Sequence, residues 1–390
     1  EDELHQPFDL AQGPLLRVLL IRVTPTADAP AQPPEHYLVF NMHHIISDGV
    51  SIGLLIDEFA ALYSAGMRGE TAKLPFLPVQ YADYAVWQQR WSQSKLLEQQ
   101  AAYWQAKLQG APPLLELPSD RPRPAQQSYR GKTLKFTLDR ETTRKVNHLS
   151  QQHKATPFMT LLSAFALLLH RYSSQSDILI GTPIAGRSQP AIERLIGLFI
   201  NTLVMRVNLA ENPPVTALIE QVRQTALDAY AHQDLPFERL IDLLQLQRNR
   251  SYNPVFQVLF AMQPTDEAQL RLPGLTVKPL VLETDMAKFD LSLLIGENAQ
   301  GFQGELEYNS DLFDAATAQR MVTHFQNLVR AMVEQPTAPV AILPMLAPAE
   351  RRQLLVEWNA TALAYPESTC LHELFADQAA RTPDKIALIV

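Results

Sequence analysis

The positions of proline constrain most strongly how this chain can fold. Its 29 prolines include three clusters, at Pro25–Pro34, Pro112–Pro124 and Pro336–Pro348. Because proline fixes φ and lacks a backbone N–H, these segments interrupt helices and central strands. The clusters predict loops or linkers that divide the chain into a first block to about Gly110, a second from about Ser128 to Leu346, and a tail.

Composition narrows the class of protein. The chain has 390 residues, 46% of them hydrophobic, which is enough for at least two packed lobes. The net charge is −8 without a run of Lys and Arg, so nucleic acid and anionic membranes are not expected as partners.

The apolar run Leu161–Leu169 is shorter than the roughly 20 residues that cross a bilayer. Cys370 is the single cysteine, which excludes an intrachain disulfide and a cysteine metal cluster and favours the cytoplasm.

Hydrophobic periodicity predicts strands mixed with helices in both blocks, and therefore an α/β or α+β fold. The predicted strands are Leu15–Val23, Tyr37–Met42, Lys132–Leu138, Ile178–Pro183 and Leu203–Leu209, several more between Val255 and Tyr308, and one at Lys385–Val390. The first predicted helix begins at about Val50 and stops at about Gly66. The other predicted helices span Tyr81–Leu108, Arg140–His153, Pro157–Tyr172, Val215–His232 and Ala315–Glu334.

The segment Asn41–Gly53, NMHHIISDGVSIG, carries the strongest chemical signal, because it lies where a strand ends and an amphipathic helix begins. Side chains alternate along a strand, so His43 and His44 are expected to face opposite ways, one chemical and the other structural. Periodicity does not decide between them, and a hydrogen-bonded core histidine is the alternative for either.

Asp48 and Gly49 follow the two histidines. Asp48 fits a helix N-cap as well as a role in a site. Gly49 lets the backbone approach a ligand closely, and N–H groups at a helix N-terminus stabilise developing negative charge. A base beside such donors is the pattern of an acyl-transfer site.

These residues resemble a known family. HHIISDG is similar to the HHxxxDG signature of condensation domains of nonribosomal peptide synthetases. Four further stretches match in the same order: PFDLAQGPLLRVLLIRV before it, then ILIGTPIAGR with IGLFINTLVMR, HQDLPFERL and SYNPVFQVLF after it. The tail LHELFADQAARTPDKIALIV resembles the start of an adenylation domain.

The resemblance implies two chloramphenicol-acetyltransferase-like lobes that form a pseudo-dimer with a channel between them. The family's earlier signatures precede PFDL, so the first lobe is expected to be truncated, with exposed apolar faces and sheet edges. The implied division is 1–110 for the N-terminal lobe, 111–127 for a proline-rich linker, 128–346 for the C-terminal lobe, 347–370 for a second linker and 371–390 for the adenylation start.

The resemblance also assigns roles to residues. It places His44 in the channel as a base or as a positioner of the acceptor amine, with His43, Asp48 and Gly49 in the same catalytic signature. It pairs Asp48 with Arg187 to hold the active-site loop. Asn253 and Ser51 are expected to line the channel, although a turn before Pro254 is the alternative for Asn253.

The implied reaction is amide-bond formation between two aminoacyl or peptidyl thioesters carried on the 4'-phosphopantetheine arms of partner carrier domains. No directly bound cofactor and no metal are expected, and the partners would be the upstream and downstream carrier domains and an adjacent adenylation domain. The alternatives are an epimerisation domain, which shares HHxxxDG, and a non-catalytic docking module on the same fold. The adenylation-like tail and the NPVFQVLF stretch favour condensation over epimerisation.

Overall fold

The computed structural model describes residues 6–23, 35–91, 94–246, 249–264, 270–280, 285–362 and 369–387. The chain forms two compact units, Glu1–Met345 and Leu346–Val390. The strands are β1 (Leu16–Val23), β2 (Glu35–Met42), β3 (Gly131–Leu138), β4 (Asp177–Ile184), β5 (Asn201–Asn208), β6 (Val258–Pro264), β7 (Leu291–Asn298) and β8 (Gly301–Asn309).

The helices are α1 (Gly49–Met67), α2 (Tyr81–Trp91), α3 (Lys95–Leu108), α4 (Arg140–Gln152), α5 (Pro157–Ser173), α6 (Val215–Ala231), α7 (Phe237–Leu244), α8 (Ala315–Glu334), α9 (Pro348–Arg352) and α10 (Leu371–Arg381). Short 3₁₀ turns lie at His44–Ile46, Pro190–Ile192 and Val340–Ile342. This mixture of strands and helices confirms the predicted α/β class, and α8 has the predicted bounds.

A small sheet and a helix precede the main body of the first unit. β1 and β2 pair antiparallel, with Leu16 opposite Met42. Several apolar side chains of β1 and α1 are exposed, among them Leu20 at 65% and Leu62 at 51%. α1 is long and apolar enough to cross a membrane by length and composition, although Ser51 in its first turn is hydrogen-bonded to Gly197 in a loop of the same unit.

The segment Tyr81–Leu108 is divided into two helices, so the prediction of one long helix is wrong. α2 ends at Trp91, and Ser94 is the N-cap of α3, with its hydroxyl accepting a hydrogen bond from the backbone N–H of Leu97. A serine side chain competes with helical hydrogen bonding and favours the start of a new helix. The sequence pattern showed continuous polarity but did not reveal this cap.

The main sheet has six strands in the order β3-β8-β7-β6-β4-β5. The pairs β3–β8, β8–β7 and β4–β5 are antiparallel, whereas β7–β6 and β6–β4 are parallel. Helix α5 is the central helix of the core, because every residue from Met159 to Leu169 is buried. Its Phe165 contacts Phe260 of β6, with ring centroids 6.0 Å apart.

Close packing between β4 and the chain before β6 fixes the middle of this sheet. A Cβ added to Gly181 would lie 2.1 Å from Cε2 of Phe256, so the ring lies directly against the glycine backbone. The same ring contacts Phe237 and Phe289, with centroid separations of 5.4 and 5.5 Å. The sequence segments ILIGTPIAGR, HQDLPFERL and SYNPVFQVLF therefore meet around one phenylalanine.

The second unit contains α9, a π-helical turn at Gln353–Glu357, and α10. Cys370 is the N-cap of α10 and is exposed. The predicted strand at Lys385–Val390 is not formed over residues 385–387, and residues 388–390 lie outside the described part of the chain.

The contact between Gly181 and Phe256 predicts a measurable coupling. Gly181→Ala should lower the free energy of unfolding by about 1–3 kcal/mol, because the new methyl group overlaps the ring. Phe256→Leu removes the overlapping ring atoms, so the double variant should be more stable than the sum of the single effects predicts. Urea unfolding of the four proteins measures this coupling, and additivity within about 0.5 kcal/mol would contradict the packing.

Candidate active site

Asp48 anchors the start of helix α1. It is the N-cap residue, and its Oδ1 accepts a hydrogen bond from the backbone N–H of Ser51 at 2.8 Å. Its Oδ2 accepts from the backbone N–H of Phe199 at 2.9 Å, a residue 151 positions further along the chain. The carboxylate is 2% exposed and therefore joins the first turn of α1 to the segment before β5.

Arg187 supplies the opposite charge to this carboxylate. Its Nη2 lies 3.1 Å from Oδ1 of Asp48, the pairing that the resemblance implied, and its side chain is 5% exposed. Its Nη1 donates to the backbone carbonyls of Ile192 and Leu195, at 2.9 and 2.7 Å. The guanidinium carbon lies 4.1 Å from the ring centroid of Phe199. Arg187 therefore organises the loop between β4 and β5 as well as pairing with Asp48.

Phe199, Gly197 and Tyr81 complete this arrangement, and the sequence reasoning did not identify them. A Cβ on Gly197 would lie 2.2 Å from the ring of Tyr81, whose hydroxyl donates to the carbonyl of Leu198 at 2.8 Å. The rings of Tyr81 and Phe199 meet edge to face at 5.3 Å. Gly197 and Phe199 belong to the stretch IGLFINTLVMR, which resembles a signature of the family. The glycine and the phenylalanine of this stretch were the sequence signal that could have identified these contacts.

The surroundings of Asp48 stabilise its ionised form. Burial by itself would raise the pKa of this carboxyl group, because charge is poorly solvated inside the protein. The hydrogen bonds from Ser51 and Phe199 and the charge of Arg187 outweigh burial, and they lower the pKa below its usual 3.8. Asp48 is therefore a permanent anion at neutral pH rather than a proton donor.

His43 has a capping role in the structure. Its Nδ1 accepts a hydrogen bond from the backbone N–H of Ile45 at 3.1 Å, which makes it the N-cap of the 3₁₀ turn His44–Ile46. Its ring also meets that of Phe8 edge to face, with centroids 6.1 Å apart. Of the two histidines, His44 is therefore the candidate for chemistry.

His44 lies beyond the end of β2, so the argument from strand alternation does not apply to it. The strand stops at Met42 and the turn starts at His44, whose side chain is exposed. Its Nδ1 lies 2.6 Å from the carbonyl oxygen of Ser47. Because a carbonyl only accepts hydrogen bonds, Nδ1 carries the hydrogen, and the lone pair of the neutral ring lies on Nε2. The backbone thus presets the tautomer that accepts a proton at Nε2.

Ser51 does not line a channel in this structure, so that prediction is wrong. Its side chain is 0% exposed. Its hydroxyl donates to the carbonyl of Gly197 at 2.7 Å and accepts from the N–H of Gly197 at 3.0 Å and from Nη2 of Arg187 at 2.8 Å. These protein partners occupy the hydroxyl and leave it no capacity for a substrate.

Gly49 and Asn253 lie in different surroundings. Gly49 is the first residue of α1, and an added Cβ would meet no atom within 4 Å, so space is open beside its backbone. Asn253 donates from Nδ2 to the carbonyl of Lys288 at 2.7 Å, and its own carbonyl accepts from Gln257. Within the described ranges, no hydrogen bond joins Asn253 to the segment 43–51. Its role in a channel stays a prediction.

Comparison with known proteins places these features in a family. The family described as "Condensation domain" matches residues 1–355. A linear gramicidin synthase of Brevibacillus parabrevis is 47% identical over 392 residues, which cover 99% of this chain and 7% of that protein. The crystal structure of the X-domain from teicoplanin biosynthesis is similar with a TM-score of 0.79 and 28% identity, over 88% of this chain and 78% of that one.

A second solved structure extends the comparison. A holo four-domain nonribosomal peptide synthetase bound to AMP and glycine is similar with a TM-score of 0.75 and 27% identity, over 89% of this chain and 26% of that one. The chain thus spans a small part of the length of the synthetases that it matches.

The lowered pKa of Asp48 predicts how stability depends on pH. Asp48→Asn leaves the buried charge of Arg187 without its anion and should cost about 3–5 kcal/mol of unfolding free energy at neutral pH. The lowered pKa stabilises the fold above pH 3.8, and this contribution is lost as the pH falls through the folded-state value. The difference in unfolding free energy between wild type and Asp48→Asn should therefore become smaller as the pH falls.

Urea unfolding from neutral pH down to about pH 3 measures this difference. The matched control is Asp57→Asn on the exposed side of α1, which should change the unfolding free energy by less than about 0.5 kcal/mol. A difference for Asp48→Asn that stays constant over the whole range would contradict a stabilising ionised carboxylate.

Proposed function

The chain belongs to the condensation-domain family of nonribosomal peptide synthetases, and on that basis we propose that it joins two carrier-bound aminoacyl or peptidyl thioesters through an amide bond. The single observation that best supports this proposal is the state of His44. Its Nδ1–H is held by the Ser47 carbonyl, its Nε2 lone pair is available, and its side chain is exposed to arriving substrates.

In the proposed reaction, the amine nitrogen of the acceptor attacks the thioester carbonyl carbon of the donor. Nε2 of His44 accepts the proton that the nitrogen loses, or holds the amine in line for attack. The C–S bond then breaks, and the pantetheine sulfur leaves and takes up a proton, so that an amide and a free thiol result. We propose that the N–H of Gly49, which lies at the positive end of the α1 dipole, stabilises negative charge on the carbonyl oxygen.

The same proposal assigns the wider context. The substrates arrive on 4'-phosphopantetheine arms of an upstream donor and a downstream acceptor carrier domain in the cytoplasm, and they pass through a channel lined by Asn253 between lobes 1–110 and 128–346. The segments 111–127 and 347–370 act as linkers. Residues 371–390 resemble the start of an adenylation domain, which we propose follows in the same polypeptide.

A second candidate function is a non-catalytic docking module for carrier domains. It is favoured by the similarity to the X-domain from teicoplanin biosynthesis, with a TM-score of 0.79, because that domain is also known in a complex with OxyB. The retained His44, with its preset tautomer and exposed side chain, favours catalysis over docking alone.

The proposal predicts that His44→Ala slows amide formation by about 10²–10⁴-fold, the usual contribution of a positioned general base. The chain, kept within its natural polypeptide, is supplied with one loaded donor and one loaded acceptor carrier. Intact-protein mass spectrometry then follows the dipeptidyl thioester on the acceptor carrier. The matched control is His148→Ala, which removes another exposed histidine, from α4, and should leave the rate unchanged.

Other outcomes of this assay separate the alternatives. α-Carbon deuterium exchange on the carrier-bound substrate without any dipeptide would establish epimerisation instead. Neither product from matched substrate pairs, with carrier binding intact, would identify the docking module.

A further inference from the structure

Ser51 occupies an unusual place for a serine near a reaction centre. It lies in the first turn of α1, three residues after Asp48, and is fully enclosed. Its hydroxyl makes three hydrogen bonds, two to the backbone of Gly197 and one from Arg187. Buried serine hydroxyls in helices commonly bond to the carbonyl four residues before, whereas this one joins elements 146 positions apart.

We propose that Ser51 is a positioning residue for His44, and that it holds the imidazole in its Nδ1–H tautomer through the Ser47–Asp48 backbone. This inference rests on the proposed function for its kinetic consequence only. Its structural content concerns the orientation and tautomer of His44, which exist whether or not the chain forms amide bonds.

The connection runs through consecutive backbone groups. The carbonyl of Ser47 accepts from Nδ1 of His44 at 2.6 Å, and the N–H of Ser47 donates to the carbonyl of His44 at 3.3 Å. Ser47 is buried and directly precedes Asp48, so its carbonyl position depends on the anchoring of Asp48. Asp48 in turn accepts from the backbone N–H of Ser51.

Ser51 and Asp48 share partners on the facing loop. Nη2 of Arg187 donates to both of them, and Gly197 and Phe199, two residues apart, bond to Ser51 and Asp48 respectively. The two side chains together therefore hold the first turn of α1 against one short stretch of backbone. Asp48 supplies the compensating charge, and Ser51 supplies a neutral group that accepts and donates at once.

Loss of the hydroxyl has a defined effect. Ser51→Ala would leave the N–H and the carbonyl of Gly197 without their partner in a buried place, and such groups move or admit water to recover hydrogen bonds. A shift of this stretch also displaces the N–H of Phe199 from Asp48, and with it the carbonyl that fixes the His44 tautomer. A misplacement of a reacting group on the ångström scale costs about 10²-fold in rate.

The test compares Ser51→Ala and Ser51→Cys with the control Ser163→Ala. Ser163 is also fully enclosed in a helix, α5, but its hydroxyl donates to the carbonyl of Met159, four residues before it in the same helix, at 2.8 Å. Ser51→Cys fills the space of the hydroxyl with a somewhat larger thiol that hydrogen-bonds weakly, so it leaves no cavity and separates the loss of hydrogen bonding from the loss of packing. If Ser51→Ala does not fold, Ser51→Cys decides the question.

The first readout is the ¹⁵N spectrum of the histidine rings in the full chain, with His44 assigned by its absence in His44→Gln. Both Ser51 variants should show His44 as a mixture of Nδ1–H and Nε2–H tautomers, while wild type and Ser163→Ala show Nδ1–H. The second readout is dipeptidyl thioester formation in the natural polypeptide, in which kcat should fall about 10- to 100-fold with KM for the acceptor carrier nearly unchanged.

The outcomes distinguish this inference from the proposed function. An unchanged His44 tautomer and unchanged kcat in the Ser51 variants would overturn it, as would an equal loss of kcat in Ser163→Ala. If wild type makes no dipeptide, the proposed function fails, but the ring spectra still test whether Ser51 controls the tautomer.

Discussion

The buried guanidinium of Arg187 is the interaction on which the rest of the site depends. A charged group that is 5% exposed needs a compensating anion and hydrogen-bond acceptors. Asp48 supplies the anion, and Ser51 and the loop carbonyls accept from the two terminal nitrogens of the guanidinium, whereas its buried Nε has no partner among the described residues. Because Asp48 and Ser51 start helix α1 whereas the loop joins β4 to β5, this single side chain determines where the helix begins relative to the main sheet.

The main sheet holds the loop at both of its ends. β4 and β5 pair antiparallel, with Ile184 opposite Asn201, so the loop between them leaves and re-enters the sheet at the same end of these two strands. The amide of Asn201 bonds to the carbonyls of Gln233 and Leu235 and to the N–H of Phe237, and so ties the loop's exit to the start of α7. His44 is therefore connected, through the start of α1 and through Arg187, to the strands of the main sheet.

Local rules predicted the parts of this structure that depend on neighbouring residues. The strand and helix pattern, and the fit of Asp48 to a helix N-cap, follow from periodicity and capping preferences. The division of the helix at Ser94 and the turn at His44 were not predicted, because one cap or one strand end hardly changes the periodicity. The roles of Phe199 and Ser51 depend on contacts between residues about 150 positions apart, which a single sequence does not specify.

Arg187 holds the loop between β4 and β5 mainly through main-chain carbonyls. Three of its acceptors are the carbonyls of Ile192, Glu193 and Leu195, which any amino acid would supply equally well. Substitutions of the exposed side chain at position 193 therefore leave the anchor intact. The exposed surface of this loop can therefore change, and with it the molecules that the loop contacts, while Arg187 keeps its buried contacts with Asp48 and Ser51.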